Sequence, residues 1–185
     1  MNNNRKIEKI TYNGDTYYFF DGKIVDECFI IPSENVQAAV ANVFFSQINY
    51  KFLPLNEVKE FMMSCKDNGA LDIAYRAGLY YLEERDFTTQ EVRMILPIFI
   101  SVCRKKGKVT EAIEYAERYI VKTSAYCSPA LLTSLAAAYC DKGEYIKARD
   151  ICNKAYAMQG GSVGFTNELS LVYKRIDKAL GNKDY

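Results

Sequence analysis

The stretch LTSLAAAYCDKGEYIKARDICNKAYA, from Leu132 to Ala157, decides the fold. Its small and aromatic residues are spaced as in two short helices joined by a turn that contains Gly143. Ala136 and Ala155 stand where two packed helices approach to about 8–10 Å, and larger side chains would push the helices apart. Gly143 marks the end of the first helix, since glycine readily adopts the left-handed conformation common there. One helical hairpin cannot bury its own apolar faces, so the stretch predicts neighbours of the same kind.

Two earlier segments repeat this pattern. Gly107 precedes Gly143 by 36 residues, and Gly69 precedes Gly107 by 38. The three turns read CKDNGALDIA, CRKKGKVTEA and YCDKGEYIKA. An alanine follows each glycine after five residues, at Ala74, Ala112 and Ala148. We expect the residue four places before each glycine to lie in the core, and these residues are Cys65, Cys103 and Tyr139.

These segments resemble tetratricopeptide repeats (TPR), which are about 34 residues long and consist of paired antiparallel helices. The third segment matches best, with Leu132, Leu135, Ala136, Tyr139, Gly143, Tyr145, Ala148 and Ala155 at signature positions. The second keeps Leu96, Phe99, Gly107, Ala112 and Ala116, and the first keeps Phe61, Gly69, Ala74 and Gly78. Both depart from the pattern where a small residue is usual, at Met62 and Ile100, and no segment has the family's tryptophan. A strand segment before such repeats also resembles small bacterial proteins.

The resemblance implies a mostly α-helical protein, an α-solenoid of about three TPR-like helix pairs. The pairs are expected at about residues 55–88, 89–127 and 128–160, inside a repeat region that spans 54–162. A separate helix is expected over 32–53, and a C-terminal capping helix over 163–185 closes the solenoid. QGGSVG reads as a connector before this last helix, which we expect Thr166 to cap and Gly181 to end.

The first 31 residues predict a small three-stranded antiparallel meander. Asn13-Gly14 and Asp21-Gly22 are strong signals for two-residue hairpin turns, because both central residues of such a turn need positive φ. Side chains alternate between the faces of a strand, so Tyr17 and Phe19 lie on one face of the middle strand and Tyr18 and Phe20 on the other. We expect one face to pack on the helices that follow. The other face is a candidate aromatic contact surface.

Local signals mark the ends of the helices. Helix starts are expected after Ser33, Asn56, Thr88 and Ser128. The first of these helices is expected to run to about Tyr50. Thr88 with Glu91 forms a capping-box signature, and Ser128 is followed by Pro129, which suits the first helical position. Pro97 falls inside a predicted helix and predicts a kink or a split there.

Composition places the chain among ordinary globular proteins. The formal net charge of +1 gives no overall attraction to nucleic acid or to an anionic membrane, so neither is an expected partner. No stretch approaches the roughly 20 apolar residues of a membrane helix. The six cysteines include no C-x-x-C pair. We interpret Cys65 and Cys103, at the repeated core position, as buried reduced thiols, and we expect a cytoplasmic protein.

The residues suggest no catalytic, cofactor or metal site. The chain has no histidine, so the commonest general base and a common zinc ligand are both missing. Glu83, Glu84 and Asp86 read as a solvated helix end. GGSVG lacks the Lys-Ser/Thr ending and the preceding strand of a phosphate-binding loop. We therefore expect no enzyme and no cofactor.

In the TPR family the first helix of each pair lines a concave groove, and the resemblance transfers that role to residues here. The candidate partner-binding residues are Lys59, Met63, Lys66, Ser101, Arg104, Lys105, Thr133 and Ala137. Asn56, Met94, Ala130 and Asp141 occupy further groove positions. The groove would have a basic rim, which suits an acidic segment of a partner. A solvated face without a ligand is the alternative.

The sequence therefore predicts a non-catalytic scaffold or adaptor that binds a peptide or partner protein. The contact surface is either the helical groove or the aromatic meander. One alternative is a self-associating structural subunit of a larger assembly. Another is a helical repeat that binds single-stranded RNA, although three repeats and a balanced charge suit that role poorly.

Overall fold

The computed structural model describes residues 8–84, 86, 88–122, 124–158 and 167–181. Within them the chain is mostly helical and begins with an antiparallel sheet of three strands, as predicted. The strands are β1 (Glu8–Tyr12), β2 (Asp15–Phe20) and β3 (Lys23–Asp26). The α-helices are α1 (Glu34–Ser46), α2 (Leu55–Asp67), α3 (Leu71–Leu79), α4 (Thr89–Lys105), α5 (Val109–Lys122), α6 (Pro129–Lys142), α7 (Tyr145–Met158) and α8 (Asn167–Leu180). Shorter elements are the 3-10 helices Tyr50–Phe52 and Ser124–Tyr126 and the π-helix Tyr80–Glu84. The chain divides into two compact units, Met1–Tyr80 and Tyr81–Tyr185.

The sheet of the first unit is shaped by its two tight turns. Asn13 and Gly14 have φ of 53° and 91°, and Asp21 and Gly22 have φ of 50° and 78°. Positive φ at both central residues is what a type I′ turn requires, so both predicted hairpins are confirmed. The strand order is β1-β2-β3, a simple meander.

One face of the sheet packs on α1, as expected. The ring of Phe19 lies 5.0 Å from that of Phe44 and 5.5 Å from that of Phe45, measured between centroids. Ile10 and Ile24 are buried on the same face. The sheet is thus held to the first helix by aromatic and aliphatic packing.

The first helix differs from the prediction at both ends. Ser33 stands at the N-cap position, but its hydroxyl caps nothing; its backbone carbonyl accepts from the N–H of Gln37 at 2.8 Å. The helix ends at Ser46 rather than near Tyr50. The side chain of Asn49 caps a separate 3-10 turn, which explains the earlier end.

The start of α2 also differs from the prediction. The helix was expected to follow a cap at Asn56, but Asn56 already lies inside α2. Pro54 holds the N-cap position, and its carbonyl accepts the first helical hydrogen bond from Val58 at 2.9 Å. Proline fixes its own φ, so it sets the direction of the entering chain without a side-chain cap.

A buried amide joins three elements of the first unit. Asn68 is 1% exposed, and its Oδ1 accepts from the backbone N–H of Ile24 and from the side chain of Gln37, at 2.9 Å each. Its Nδ2 donates to the carbonyls of Gly22 and Ser64, at 2.8 Å each. Asn68 therefore ties β3, α1 and α2 together.

The three glycine turns have the same structure. Gly69, Gly107 and Gly143 have φ of 83°, 75° and 84°, the left-handed conformation expected of them. After each glycine, the next N–H donates to the carbonyl five residues earlier, at 2.8–2.9 Å, in the pairs Ala70 to Cys65, Lys108 to Cys103 and Glu144 to Tyr139. These are the bonds of a Schellman helix end. The predicted core residues that accept them are buried, as are Ala74, Ala112 and Ala148.

The second unit consists of packed helices. α4 packs on α5, and both contact α6; α6 packs on α7, and α8 contacts α6 and α7. The capping box at the start of α4 is confirmed, with the Thr88 hydroxyl accepting from Glu91 N–H at 3.2 Å and the Glu91 carboxylate accepting from Thr88 N–H at 2.7 Å. Ser128 caps α6 through Leu131 N–H at 3.2 Å, and Pro129 is its first residue.

The second unit also contains a proline and a glycine that were predicted to interrupt or end helices, Pro97 and Gly181. α4 runs unbroken through Pro97, so of the predicted kink or split the split does not occur in this fully described helix. α8 ends before Gly181, whose φ of 70° matches its predicted role as a stop. The predicted connector at 159–164 and the predicted cap at Thr166 lie outside the described residues.

Candidate interaction surfaces

The predicted groove residues of the first unit lie on α2. Lys59 and Met63 are exposed. Lys66 is half-buried, and its ammonium lies 3.5 Å from the carboxylate of Asp67. Two of these three predicted residues are therefore available to a partner.

The predicted groove residues of the second unit lie on α4 and α6. Lys105 is exposed and Ser101 is half-buried. Thr133 and Ala137 are only 4% and 5% exposed, and the Thr133 hydroxyl donates to a carbonyl of its own helix at 2.8 Å. In this conformation Thr133 and Ala137 offer almost no surface to a partner.

Arg104 belongs to an ion cluster that joins three helices. Its Nε lies 2.6 Å from one carboxylate oxygen of Asp141 on α6, and Arg175 Nη2 on α8 lies 2.5 Å from the other. Burial alone would raise the pKa of Asp141, but hydrogen bonds from both guanidinium groups outweigh it and lower the pKa. Arg104 thus forms an ion pair with Asp141, another predicted groove position, and the sequence did not predict this pair. Arg175 was not predicted at all.

The end of the π-helix forms a second polar cluster. The Tyr115 hydroxyl donates to the Glu83 carboxylate at 2.5 Å, and Arg118 lies 3.2 Å from the same oxygen. Glu83 was expected to be a solvated residue at a helix end, but its carboxylate binds two side chains of α5. Burial and then the hydrogen bond to Glu83 raise the pKa of Tyr115 above its usual range, so its hydroxyl remains a hydrogen-bond donor into alkaline pH. The cluster holds the π-helix on α5.

All six cysteines lie among the described residues, and all are free thiols. Burial raises the pKa of Cys103 and of Cys152 to about 12, and it also raises the pKa of Cys65 and Cys140. A thiol with so high a pKa is not a nucleophile at neutral pH. Within the described ranges, no three His, Cys, Asp or Glu side chains come together as a metal site would require. No helix in those ranges is long and apolar enough to cross a membrane.

The most distinctive surface of the first unit lies on the sheet face opposite α1. Here the ring of Phe29 lies 6.0 Å from Tyr18, stacked, and 5.5 Å from Phe20, edge to face. Ile30 and Ile31 follow in the chain. Phe29, Ile30 and Ile31 are 54%, 62% and 52% exposed. We refer to Tyr18, Phe20, Phe29, Ile30 and Ile31 as the aromatic surface.

The loop that carries the aromatic surface holds Phe29 in an unfavourable backbone conformation. Phe29 has φ of 60°, a left-handed value that is rare for a bulky residue. The carboxylate of Asp26 accepts from the N–H groups of Cys28 and Ile30, at 2.9 Å each. The backbone N–H of Asp26 donates to the Ile30 carbonyl at 2.9 Å. These bonds fix the loop and present the Phe29 ring outward over the sheet.

This surface was foreseen only in part. Alternation along DTYYFF indicated a second aromatic face at Tyr18 and Phe20. The contribution of Phe29 was not predicted, because a left-handed phenylalanine has no sequence signal comparable to Asn-Gly. The run of three apolar residues after Asp26 was the available clue.

An open depression of about 450 Å³ lies at the start of α7, between Ile146 and Leu180. Its rim carries both signs of charge, from Glu144, Lys147 and Asp150. Lys147 lies 3.4 Å from a carboxylate of α5. No set of polar groups converges in this depression as in a specific ligand site.

Comparison of the chain with protein-family models, with curated proteins and with solved structures finds no match.

Proposed function

We propose that this chain is a non-catalytic scaffold that binds an apolar segment of a partner protein through the aromatic surface. The supporting observation is the exposure of Phe29, Ile30 and Ile31 in one loop, with Phe29 at φ of 60°. Backbone strain costs about 1–3 kcal/mol and persists where the surroundings impose it, often at binding sites. Contiguous exposed apolar residues are likewise typical of protein contact sites.

The proposal includes the finer architecture. We propose that α2 with α3, α4 with α5 and α6 with α7 are TPR-like repeats of an α-solenoid, and that α8 caps its end. The corresponding hydrogen bonds after Gly69, Gly107 and Gly143 support this, because each of these turns joins two consecutive helices in the same way and at a regular spacing along the chain. The buried, aligned residues before these glycines also support it. A cytoplasmic location is part of the proposal, and the free thiols are consistent with it.

Among the two predicted contact surfaces, we favour the aromatic surface over the groove. Thr133 and Ala137 are buried and Arg104 is bound to Asp141, which reduces what the groove offers. The ion pair of Arg104 with Asp141 also argues against RNA binding, because the carboxylate neutralises the charge that would attract a phosphate group. Partner binding that weakens steeply with added salt would favour RNA or an acidic segment instead.

The experiment compares affinity capture by the wild type, by Phe29→Gly and by Phe52→Ala. Glycine tolerates positive φ, so Phe29→Gly removes the ring without straining the loop. Phe52 is 84% exposed in the same unit but outside the aromatic surface, which makes Phe52→Ala the matched control. The identified partner is then produced and its affinity for each variant is measured by calorimetry.

We expect the wild type and Phe52→Ala to bind the same protein with equal affinity. Phe29→Gly should bind it at least about thirtyfold more weakly, the effect of losing an aromatic hot spot of about 2 kcal/mol. Equal binding by Phe29→Gly would reject the aromatic surface as the site. The absence of any saturable partner would reject the scaffold function.

A further inference from the structure

The two edges of the sheet differ in how their backbone groups are satisfied. In a two-residue hairpin, the residues that flank the turn point their N–H and C=O groups at each other, and the groups of alternate residues then point outward. In β3 the outward N–H groups belong to Ile24 and Asp26. Ile24 donates to Asn68 and Asp26 donates to the carbonyl of Ile30, both at 2.9 Å. The β3 edge is therefore closed within the first unit.

The β1 edge is not paired with any strand among the described residues. Tyr12 faces Asp15 across the first turn, so the outward groups of β1 belong to Lys9 and Thr11. Both residues are exposed, and no described residue bonds to their outward backbone groups. An unpaired edge readily pairs with another strand unless proline, a bulge or several charges protect it. The charged residues of β1 are Glu8 and Lys9, which have opposite signs, and the strand contains no proline. Its pairing with β2 is regular from Glu8 to Tyr12, without a bulge.

We infer that β1 pairs in antiparallel fashion with β1 of a second copy of this chain, in the register that places Ile10 opposite Ile10. The result is a two-fold symmetric dimer with a continuous six-stranded sheet. In this register Lys9 lies opposite Thr11 of the second copy, and each such pair forms two backbone hydrogen bonds, four in the dimer. The self-association rests on the β1 edge, which is unpaired within the described residues, and it goes beyond the scaffold function proposed above.

The register follows from hydrogen bonding and charge. Antiparallel self-pairing through the outward groups of Lys9 and Thr11 has three possible centres: Lys9, Ile10 and Thr11. A centre at Lys9 places two ammonium groups directly opposite each other, which is destabilising. A centre at Thr11 places Lys9 opposite the turn residue Asn13. Only the centre at Ile10 pairs all five residues of β1, and it places the charge of Lys9 against a neutral threonine.

The symmetry has a geometric consequence for the sheet faces. The two-fold axis of such a pairing is perpendicular to the sheet, so equivalent faces of the two copies lie on the same side. Both aromatic surfaces would share one side of the six-stranded sheet, and both α1 helices the other. A second copy also removes the exposed edge, which is how closed assemblies avoid open-ended strand addition.

Sedimentation equilibrium of the full chain over a wide concentration range tests this inference. The variants change Thr11, which is exposed in the single copy and faces Lys9 of the second copy in the dimer. Thr11→Lys places the new lysine of each copy opposite Lys9 of the other, which gives two repulsive pairs. At roughly 0.7 kcal/mol per pair, we expect the dimer dissociation constant to rise about tenfold. Thr11→Glu creates two opposite-charge pairs and should strengthen the dimer by a similar factor. The double variant Lys9→Glu with Thr11→Lys restores opposite charges and should recover the wild-type dissociation constant or better.

Val121→Lys is the matched control, since it adds the same charge at a residue that is 85% exposed and far from β1 in sequence. It should leave the dimer unchanged, as should Phe29→Gly, so failure of this inference is distinct from failure of the scaffold proposal. Circular dichroism of each variant verifies that the fold is retained. A monomer at every concentration would overturn the inference. The pairing at Ile10 would be overturned if the dimer dissociation constant did not change in the Thr11 variants. It would also be overturned if Thr11→Lys and Thr11→Glu weakened the dimer equally.

Discussion

Asn68 Oδ1 accepts the outward backbone N–H of Ile24 at 2.9 Å, and this bond closes one edge of the sheet. The same amide accepts from Gln37 and donates to two carbonyls. All four hydrogen-bonding positions of a buried side chain are therefore used. A strand, two helices and the hairpin turn at Gly22 are thus joined by a single side chain.

Replacing this amide should strongly destabilise the first unit. Asn68→Ala leaves the Ile24 N–H and the Gly22 carbonyl without their partner, and we expect the free energy of unfolding to fall by about 2–4 kcal/mol. Gln37→Ala removes only one of the four bonds, at a half-buried side chain, and should cost less than about 1 kcal/mol. Urea unfolding monitored by circular dichroism measures both. Similar costs for the two variants would contradict the central role of Asn68.

The three repeated glycines should differ in their tolerance of alanine. All have positive φ, so any Cβ costs about 1 kcal/mol. A Cβ at Gly69 would also lie 2.8 Å from the Cβ of Ala38, whereas nothing lies within 4 Å of one at Gly143. We therefore expect Gly143→Ala to cost about 1 kcal/mol and Gly69→Ala about 2–4 kcal/mol. Adding Ala38→Gly should recover part of the second cost, and a strictly additive double variant would argue against the clash.

The Asp141 cluster should make stability depend on acid pH. The folded pKa of Asp141 is lowered, so its contribution is fully present above the ordinary pKa of about 3.9 and is lost as the pH falls through the folded value. Asp141→Asn should lower the free energy of unfolding by about 1–2 kcal/mol at pH 7, a value reduced for partial exposure. The difference from wild type should shrink below pH 4. Glu144→Gln, which breaks the more exposed pair with Lys142, should have a smaller effect.

The cysteines should react with thiol reagents in two classes. Cys28 is exposed and Cys127 is half-buried, so both should be alkylated in the native protein, Cys28 faster. Cys65, Cys103, Cys140 and Cys152 are buried, and burial raises the pKa of each. They should react only after unfolding. Mass spectrometry of timed alkylation at pH 8 counts the modified sites, and Cys28→Ser should remove the fastest phase. Rapid reaction of four or more thiols would contradict the described core.

Local chemistry made much of the fold predictable. The hairpin turns, the Thr88 capping box, the Ser128-Pro129 start and the glycine helix ends each depend on residues close in sequence. Those signals act through the backbone over a few residues, so a sequence displays them directly. The misplaced cap at Asn56 shows the limit, because Pro54 competes for the same helix start and its backbone carbonyl decides the outcome.

The interaction surfaces were less predictable because they depend on distant residues. Arg104 and Asp141 are 37 positions apart, and their pairing with Arg175 needs three helices in place. The burial of Thr133 and Ala137 likewise results from packing and not from composition. Asn68 had a faint signal: the two other turns carry lysine directly before glycine, so an asparagine there already differed from the repeat.

The most direct test of the proposed scaffold places a photo-crosslinking amino acid at Ile30, within the aromatic surface, and separately at Val121. Ile30 is 62% exposed and Val121 is 85% exposed, so the probe should not disturb the fold at either position. After irradiation in the cells that make this chain, we predict that the Ile30 probe captures one protein reproducibly and that Phe29→Gly abolishes this product. The Val121 probe should not capture it. The same products from both positions, or none from Ile30, would contradict the aromatic surface as the partner-binding site.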